Sequence, residues 1–183
     1  MEVSSHSLIL ERVAGIEFDV GIYTNLSQDH LDFHNTMEEY AEAKSRLFSH
    51  CRIGCYNADD DWADMMARNA KCPMISYSAI GADADLTAKD ISLSSSNVRF
   101  MATDKSGSAE TILNIPGMFS VYNALGVMAA GRALGISIED CAAAIGTAKG
   151  VKGRMEVVPT DGDYSILIDY SHKPDALEKG EAS

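Results

Sequence analysis

The chain has 183 residues, 46% hydrophobic and 23% charged, which supports one globular core, with room for part of a second, and excludes a disordered tail. Fifteen Lys and Arg against 27 Asp and Glu give a net charge of -12, which opposes broad attraction to nucleic-acid phosphates. No apolar run approaches the ~20 residues of a membrane helix and no basic stretch leads into an apolar one at the N-terminus, so neither a nucleic-acid nor a membrane partner is expected and the cytoplasm is the expected compartment.

Residues 1–3 read as the end of a strand whose usual ~5 to 6 residues would start upstream, so the N-terminus looks cut. Residues 19–24 have the apolar, β-branched character of a buried strand, and a polar loop follows to Asn35. Over residues 36–48 helix formers dominate, with Met37, Tyr40, Ala41, Lys44 and Leu47 three or four apart, and Thr36 with Glu39 fits a capping box. A strand at 52–56, a helix at 60–69 and a strand at 74–77 continue an α/β alternation. Between 85 and 115 short segments at 91–93, 98–101 and 111–115, broken by Ser/Asn and Ser/Gly turns, predict an antiparallel meander. Helices at 121–134 and 138–147 follow, the second capped by Ser137, and strands at 155–158 and 164–168 come last. Residues 175–179 read as the first turns of a longer helix, so this end also looks cut.

Four segments hold candidate chemistry. The loop TNLSQDHLDFH places His30 and His34 four apart beside two aspartates, just past a strand end where α/β sheets bind ligands. The glutamate of a zinc-protease helix is missing, and a solvated loop with one histidine acting as a cap is the plainer reading. Glu2, Ser4, Ser5 and His6 stand on a strand-to-helix turn, where a carboxylate suits magnesium but Ser-Ser equally suits an N-cap. Lys44 falls on the half-apolar helix face, either as a desolvated, reactive amine or as a lysine with a packed stem and a solvated head. Asp169, followed by Tyr-Ser-His-Lys-Pro, marks a second carboxyl edge, as a ribose acceptor or an ordinary turn residue. The four cysteines lack paired C-x-x-C spacing and read as reduced packing residues.

Five ordered blocks, MEVSSHSL with RV, TNLSQDHLDFHNTMEEYAEAKSRLF, IPGMFSVYNALGVMAA, GRMEVV and DYSHKPDALE, together resemble MurE-type Mur ligases across nearly the whole chain. The resemblance implies an α/β central domain, a mostly parallel sheet flanked by helices with a small antiparallel meander, over residues 1–158. Residues 159–183 would be the linker and start of the C-terminal ligase domain. It also implies an ATP-dependent ligase of peptidoglycan synthesis, and so of cell-wall biogenesis, cell shape and division. That enzyme adds meso-diaminopimelate or L-lysine to UDP-MurNAc-L-Ala-D-Glu through an acyl phosphate.

By the same resemblance, Glu2, His30 and Lys44 form the magnesium and catalytic set, Lys44 as a CO2-derived carbamate. Ser4 and Arg12 match contacts to the UDP-MurNAc-dipeptide, Asn123 an adenine contact, and Arg154, Asp169 and His172 nucleotide and hinge contacts. Ser120 and Lys152 depart from the family's Asn and Pro. No Gly is followed by Lys, so the G-x-x-x-x-G-K-[ST] phosphate loop is missing. With that loop and the flanking N- and C-terminal portions absent, this chain alone is expected to be inactive. The alternatives are a non-catalytic nucleotide- or UDP-sugar-binding module and another superfamily member such as a cyanophycin-synthetase-like ligase.

Overall fold

A computed structural model describes residues 1–28, 33–154, 156–158, 160, 162, 164 and 166–169. Six strands form one sheet in chain order: β1 (Phe18–Tyr23), β2 (Cys51–Asn57), β3 (Met74–Ser78), β4 (Leu86–Leu93), β5 (Val98–Asp104) and β6 (Gly107–Leu113). The first four pair in parallel and the last three antiparallel, so the α/β half and the meander are one continuous sheet. Two further strands, β7 (Glu156–Val158) and β8 (Ile166–Ile168), pair antiparallel with each other.

Residues 1–4 lie outside any strand, against the expectation for 1–3. Ser4 is instead the N-cap of α1 (Ser5–Ile9), its hydroxyl accepting from Ser7 N at 3.1 Å. The capping box forms as expected in α2 (Met37–Ser45), where Thr36 Oγ1 accepts from Glu39 N at 3.1 Å, while Glu38 and Glu39 favour the helix dipole. The Glu39 carboxylate accepts from Asn35, both backbone and side chain at 3.0 Å. A 3-10 turn, Arg46–Ser49, completes the helical stretch.

Helix α3 starts at Ala63, not at Asp60, and runs to Asn69. Two long-range helices, α4 (Met118–Ala133) and α5 (Ile138–Gly146), match their sequence signals closely. Ser137 caps α5 by accepting from Asp140 N at 3.0 Å, and Ile138, Cys141, Ala142 and Ile145 form its buried stripe.

Helices cover both faces of the sheet. On one, Tyr77, Phe100, Leu125, Met128 and Ile138 pack sheet against α4 and α5; on the other, Tyr23, Tyr40, Phe48 and Met66 pack it against α2 and α3. Gly21 and Gly54 face each other across β1 and β2. A Cβ at Gly54 would collide with Met74 Sδ and stand 2.7 Å from Phe48, so only glycine lets the 3-10 turn close onto the sheet. Among the described residues the four cysteines are free, three of them buried, and burial pushes the Cys51 thiol up to about 11 and the Cys55 thiol up to about 12. They are inert packing thiols. Among the described residues no helix is long and apolar enough to cross a membrane.

Arg132, in the last turn of α4, ties that helix to the β5–β6 turn. Its Nε donates to Asp104 Oδ2 at 2.6 Å, Nη2 to Ser106 Oγ at 2.9 Å and Nη1 to Ile136 O at 2.7 Å. Burial alone would raise the Asp104 carboxyl, but hydrogen bonds from Ser106 and Arg132 more than offset it and hold it below the usual range. A depressed native value means stability that is present above the unfolded value and lost as pH falls through the native one. Arg132→Leu is therefore expected to cost about 2 kcal/mol at pH 7. In urea titrations that difference should narrow as pH drops below ~4, down to the part that the Ser106 and Ile136 bonds supply.

Candidate functional site

Parallel strands bring their carboxyl ends to one edge, and three chain segments meet there. Tyr23 closes β1, Asn57 closes β2 and Ser78 closes β3. Asn57 Nδ2 donates to Thr24 O at 3.0 Å, and Tyr77 Oη donates across to Tyr23 O at 3.0 Å. Asp60 accepts from Tyr23 Oη at 2.5 Å, Leu26 N at 3.2 Å and Trp62 N at 3.1 Å, which fixes the start of the loop after β1. That engagement is why Asp60 does not begin α3.

Asp59 joins the other two segments. It accepts from Ser78 Oγ at 2.6 Å, Ala79 N at 2.7 Å, Ile80 N at 3.1 Å and Tyr122 Oη at 3.1 Å, the last from α4. Burial first, then the Asp59 charge and hydrogen bond, push the Tyr122 phenol up to about 12. Burial and the Asp60 bond likewise hold Tyr23 firmly protonated. These aspartates were missed in the sequence, although Asn57-Ala58-Asp59-Asp60 directly after a strand is a readable signal for a carboxyl-edge cap.

Beside this edge, α1 packs against α2. His34 is buried, at 2% exposure, and its Nε2 lies 2.8 Å from Ser5 Oγ in the first turn of α1. Its ring stacks on Tyr40 with centroids 4.9 Å apart, and Lys44 Nζ lies 5.5 Å from the centre of the Tyr40 ring. The rings of His6 and Phe33 meet nearby with centroids 3.9 Å apart, tilted by 34°.

The expected site residues fall as follows. Glu2 and Ser4 are exposed just before α1, and Arg12 is exposed in the turn after it. Lys44 is half-buried in the last turn of α2, so the Glu2 segment and the Lys44 helix are neighbours through the α1–α2 contact. Its ammonium rests over an aromatic face, which suits a cation. Asn123 is exposed in the second turn of α4, one residue from the Tyr122 that Asp59 holds. Arg154 is exposed after Gly153, and Asp169 is exposed after β8. His30 and His172 lie outside the described residues.

Among the described residues no three His, Cys, Asp or Glu side chains group to hold a metal. Of the residues expected to hold magnesium, the two described ones supply one exposed carboxylate, Glu2, and one half-buried ammonium, Lys44. The donor chemistry fits on one condition: Lys44 must exchange its positive ammonium for an anionic oxygen donor.

Comparison with known proteins bears on the family and the fold. A family model described as the Mur ligase middle domain matches residues 1–131. The UDP-N-acetylmuramoyl-L-alanyl-D-glutamate--2,6-diaminopimelate ligase of Caldanaerobacter subterraneus is 44% identical over 178 residues, 97% of this chain and 36% of that protein. The ligase of the same name from Bacillus cereus is 38% identical, covering 97% of this chain and 38% of its own length. A solved structure of a ligase of that name superposes with a TM-score of 0.83 at 33% identity, over 96% of this chain and 37% of that one. The MurF ligase of Thermotoga maritima in complex with ADP superposes at 0.78 over 97% of this chain and 41% of that one, but at 21% identity the likeness is of fold alone. The chain spans 36% to 38% of the length of the curated relatives named here.

Proposed function

Since this chain belongs to the Mur ligase family through its middle domain, we propose that it is the central part of an ATP-dependent, cytoplasmic ligase that joins 2,6-diaminopimelate to UDP-MurNAc-L-Ala-D-Glu in peptidoglycan synthesis. The observation that carries this reading is identity of 37% to 44% along 97% to 98% of the chain to relatives that all bear the diaminopimelate ligase name. Residues 1–158 would be central domain and 159–183 the linker and start of the C-terminal ligase domain. The activity belongs to the intact polypeptide that supplies the remaining portions.

In the reaction, the D-Glu carboxylate of the substrate attacks the γ-phosphate of ATP, releasing ADP and forming an acyl phosphate. An amine of the diamino acid then adds to the acyl carbon, and the tetrahedral adduct expels phosphate and loses a proton to give the amide. Two anions must meet in the first step, and magnesium, when bound, supplies the positive charge that makes this tolerable. Glu2, His30 and the carbamate of Lys44 would hold it. Ser4 and Arg12 would orient the UDP-MurNAc-dipeptide, Arg12 by pairing with anionic oxygens. Asn123 would present its amide to adenine, while Arg154, Asp169 and His172 would contact the rest of the nucleotide. Binding and electrostatics, with no covalent enzyme intermediate, carry the acceleration.

The test is turnover by the intact protein with UDP-MurNAc-L-Ala-D-Glu, ATP and magnesium, followed as ADP release and product mass. Amide product with diaminopimelate and little with L-lysine is the expected result. Preference for L-lysine would replace the amino-acid assignment, and absence of ADP release with both would overturn the ligase reading.

A further inference from the structure

Two histidines stand four residues apart in the sequence between β1 and α2, and the family resemblance gives a role to His30 alone. We propose that His34 is a positioning residue that locks the first turn of α1 to α2, and so sets the distance between the Glu2 segment and Lys44. The inference rests on the magnesium reading above and adds to it a residue outside the expected metal set.

The geometry runs through three chain segments without a gap. Helix α1 has five residues, far below the length at which a helix holds itself together, so its orientation comes from what it touches. Its buried face is Ser5 and Leu8. Ser5 is 1% exposed, and its hydroxyl meets the His34 imidazole at 2.8 Å. The same imidazole stacks on Tyr40, itself 5% exposed, at 4.9 Å and 20° between planes. Lys44 lies one helical turn beyond Tyr40 and places its Nζ over that ring, while Glu2 precedes Ser5 by three residues. Phe33 and His6 press on His34 edge-on, at 5.0 Å and 5.8 Å, and close the pocket around it.

Only an imidazole meets both demands at this position. Phenylalanine would stack on Tyr40 but leave the Ser5 hydroxyl buried without its partner, and glutamine would reach Ser5 but offer no ring. A buried polar contact of this kind is worth more as a fixed distance than as net stability.

The test uses Mn2+ as the probe in the intact ligase, with free aqua ion measured by electron paramagnetic resonance, beside thermal melting of each variant. His34→Phe and Ser5→Ala are each expected to weaken Mn2+ binding about fivefold to tenfold. The double variant should be no weaker than the worse single, because both remove one shared contact. Ser5→Ala deletes a single oxygen and keeps the test available if His34→Phe fails to fold. Mn2+ affinity unchanged in Ser5→Ala, with a lowered melting temperature, makes the contact merely structural and overturns the inference. Glu2→Gln and Lys44→Ala serve as controls: if they also leave Mn2+ binding unchanged, the magnesium reading fails and the inference falls with it.

Discussion

In the intact ligase, Lys44→Ala is expected to lower turnover on the order of a hundredfold to a thousandfold, and a small carboxylic acid added to the assay should return part of the loss. The argument is one of charge. Lys44 occupies the last turn of α2, half-buried, with its ammonium over the Tyr40 ring. In that form it would repel a magnesium ion beside Glu2. As a carbamate the same side chain would end in an anionic oxygen pair, a donor that suits the ion. Alanine removes the oxygens and leaves space that a free carboxylate can enter. Lys44→Arg keeps the positive charge and cannot take up CO2, so it should be as poor as alanine and gain nothing from the acid. Steady-state turnover of the three proteins, with and without the acid, decides the matter, and wild-type turnover in Lys44→Ala would remove this residue from the mechanism.

Local signals were the legible part of the fold. The Thr36 and Ser137 caps, the three-four spacing of α2 and the apolar stripe of α5 each depend on residues within one or two turns, and each stands where its pattern put it. The start of β4 was hidden because Leu86 and Ala88 face the core through a polar run, Thr87, Lys89 and Asp90, that lacks a strand's usual apolar weight. Asp60 reads as a helix start, yet its carboxylate is taken by Tyr23, 37 residues away, and the helix waits until Ala63.

The candidate site divides along the same line. Residue types at a strand end mark where chemistry would sit, but a partner is invisible when it lies far along the chain. His34 looked like half of a metal pair at a spacing of four, and its bond is to Ser5, 29 residues back. Asp59 joins β3 to α4 across separations of 19 and 63 residues. Topology alone makes such neighbours, because parallel strands send every carboxyl end to the same edge.

Tyr77→Ala is expected to cost about 4 kcal/mol, against a total of roughly 5 to 15 kcal/mol for a domain, and so to leave the protein near its unfolding threshold. Tyr77 is fully buried on β3, at 0% exposure, with its ring against α4, where a Cβ on Gly126 would stand 3.2 Å from the phenol oxygen. Alanine would leave a cavity between sheet and helix that this tight contact has little room to refill. Tyr77→Phe keeps the ring and loses only the bond to Tyr23 O, a change of about 1 kcal/mol. That bond is not a ladder bond: β2 lies between β1 and β3, so the phenol reaches over the middle strand and pins the end of β1 from the far side. The phenylalanine variant should therefore melt slightly lower in urea while amide exchange rises in residues 24–28, with the β5–β6 amides unchanged. Equal losses in the two variants would mean that the hydroxyl bond to Tyr23, rather than the packed ring, accounts for the stability Tyr77 supplies. Unchanged exchange at 24–28 would mean that Asp60, through Tyr23 and Leu26, is enough by itself to hold the loop that carries the candidate site.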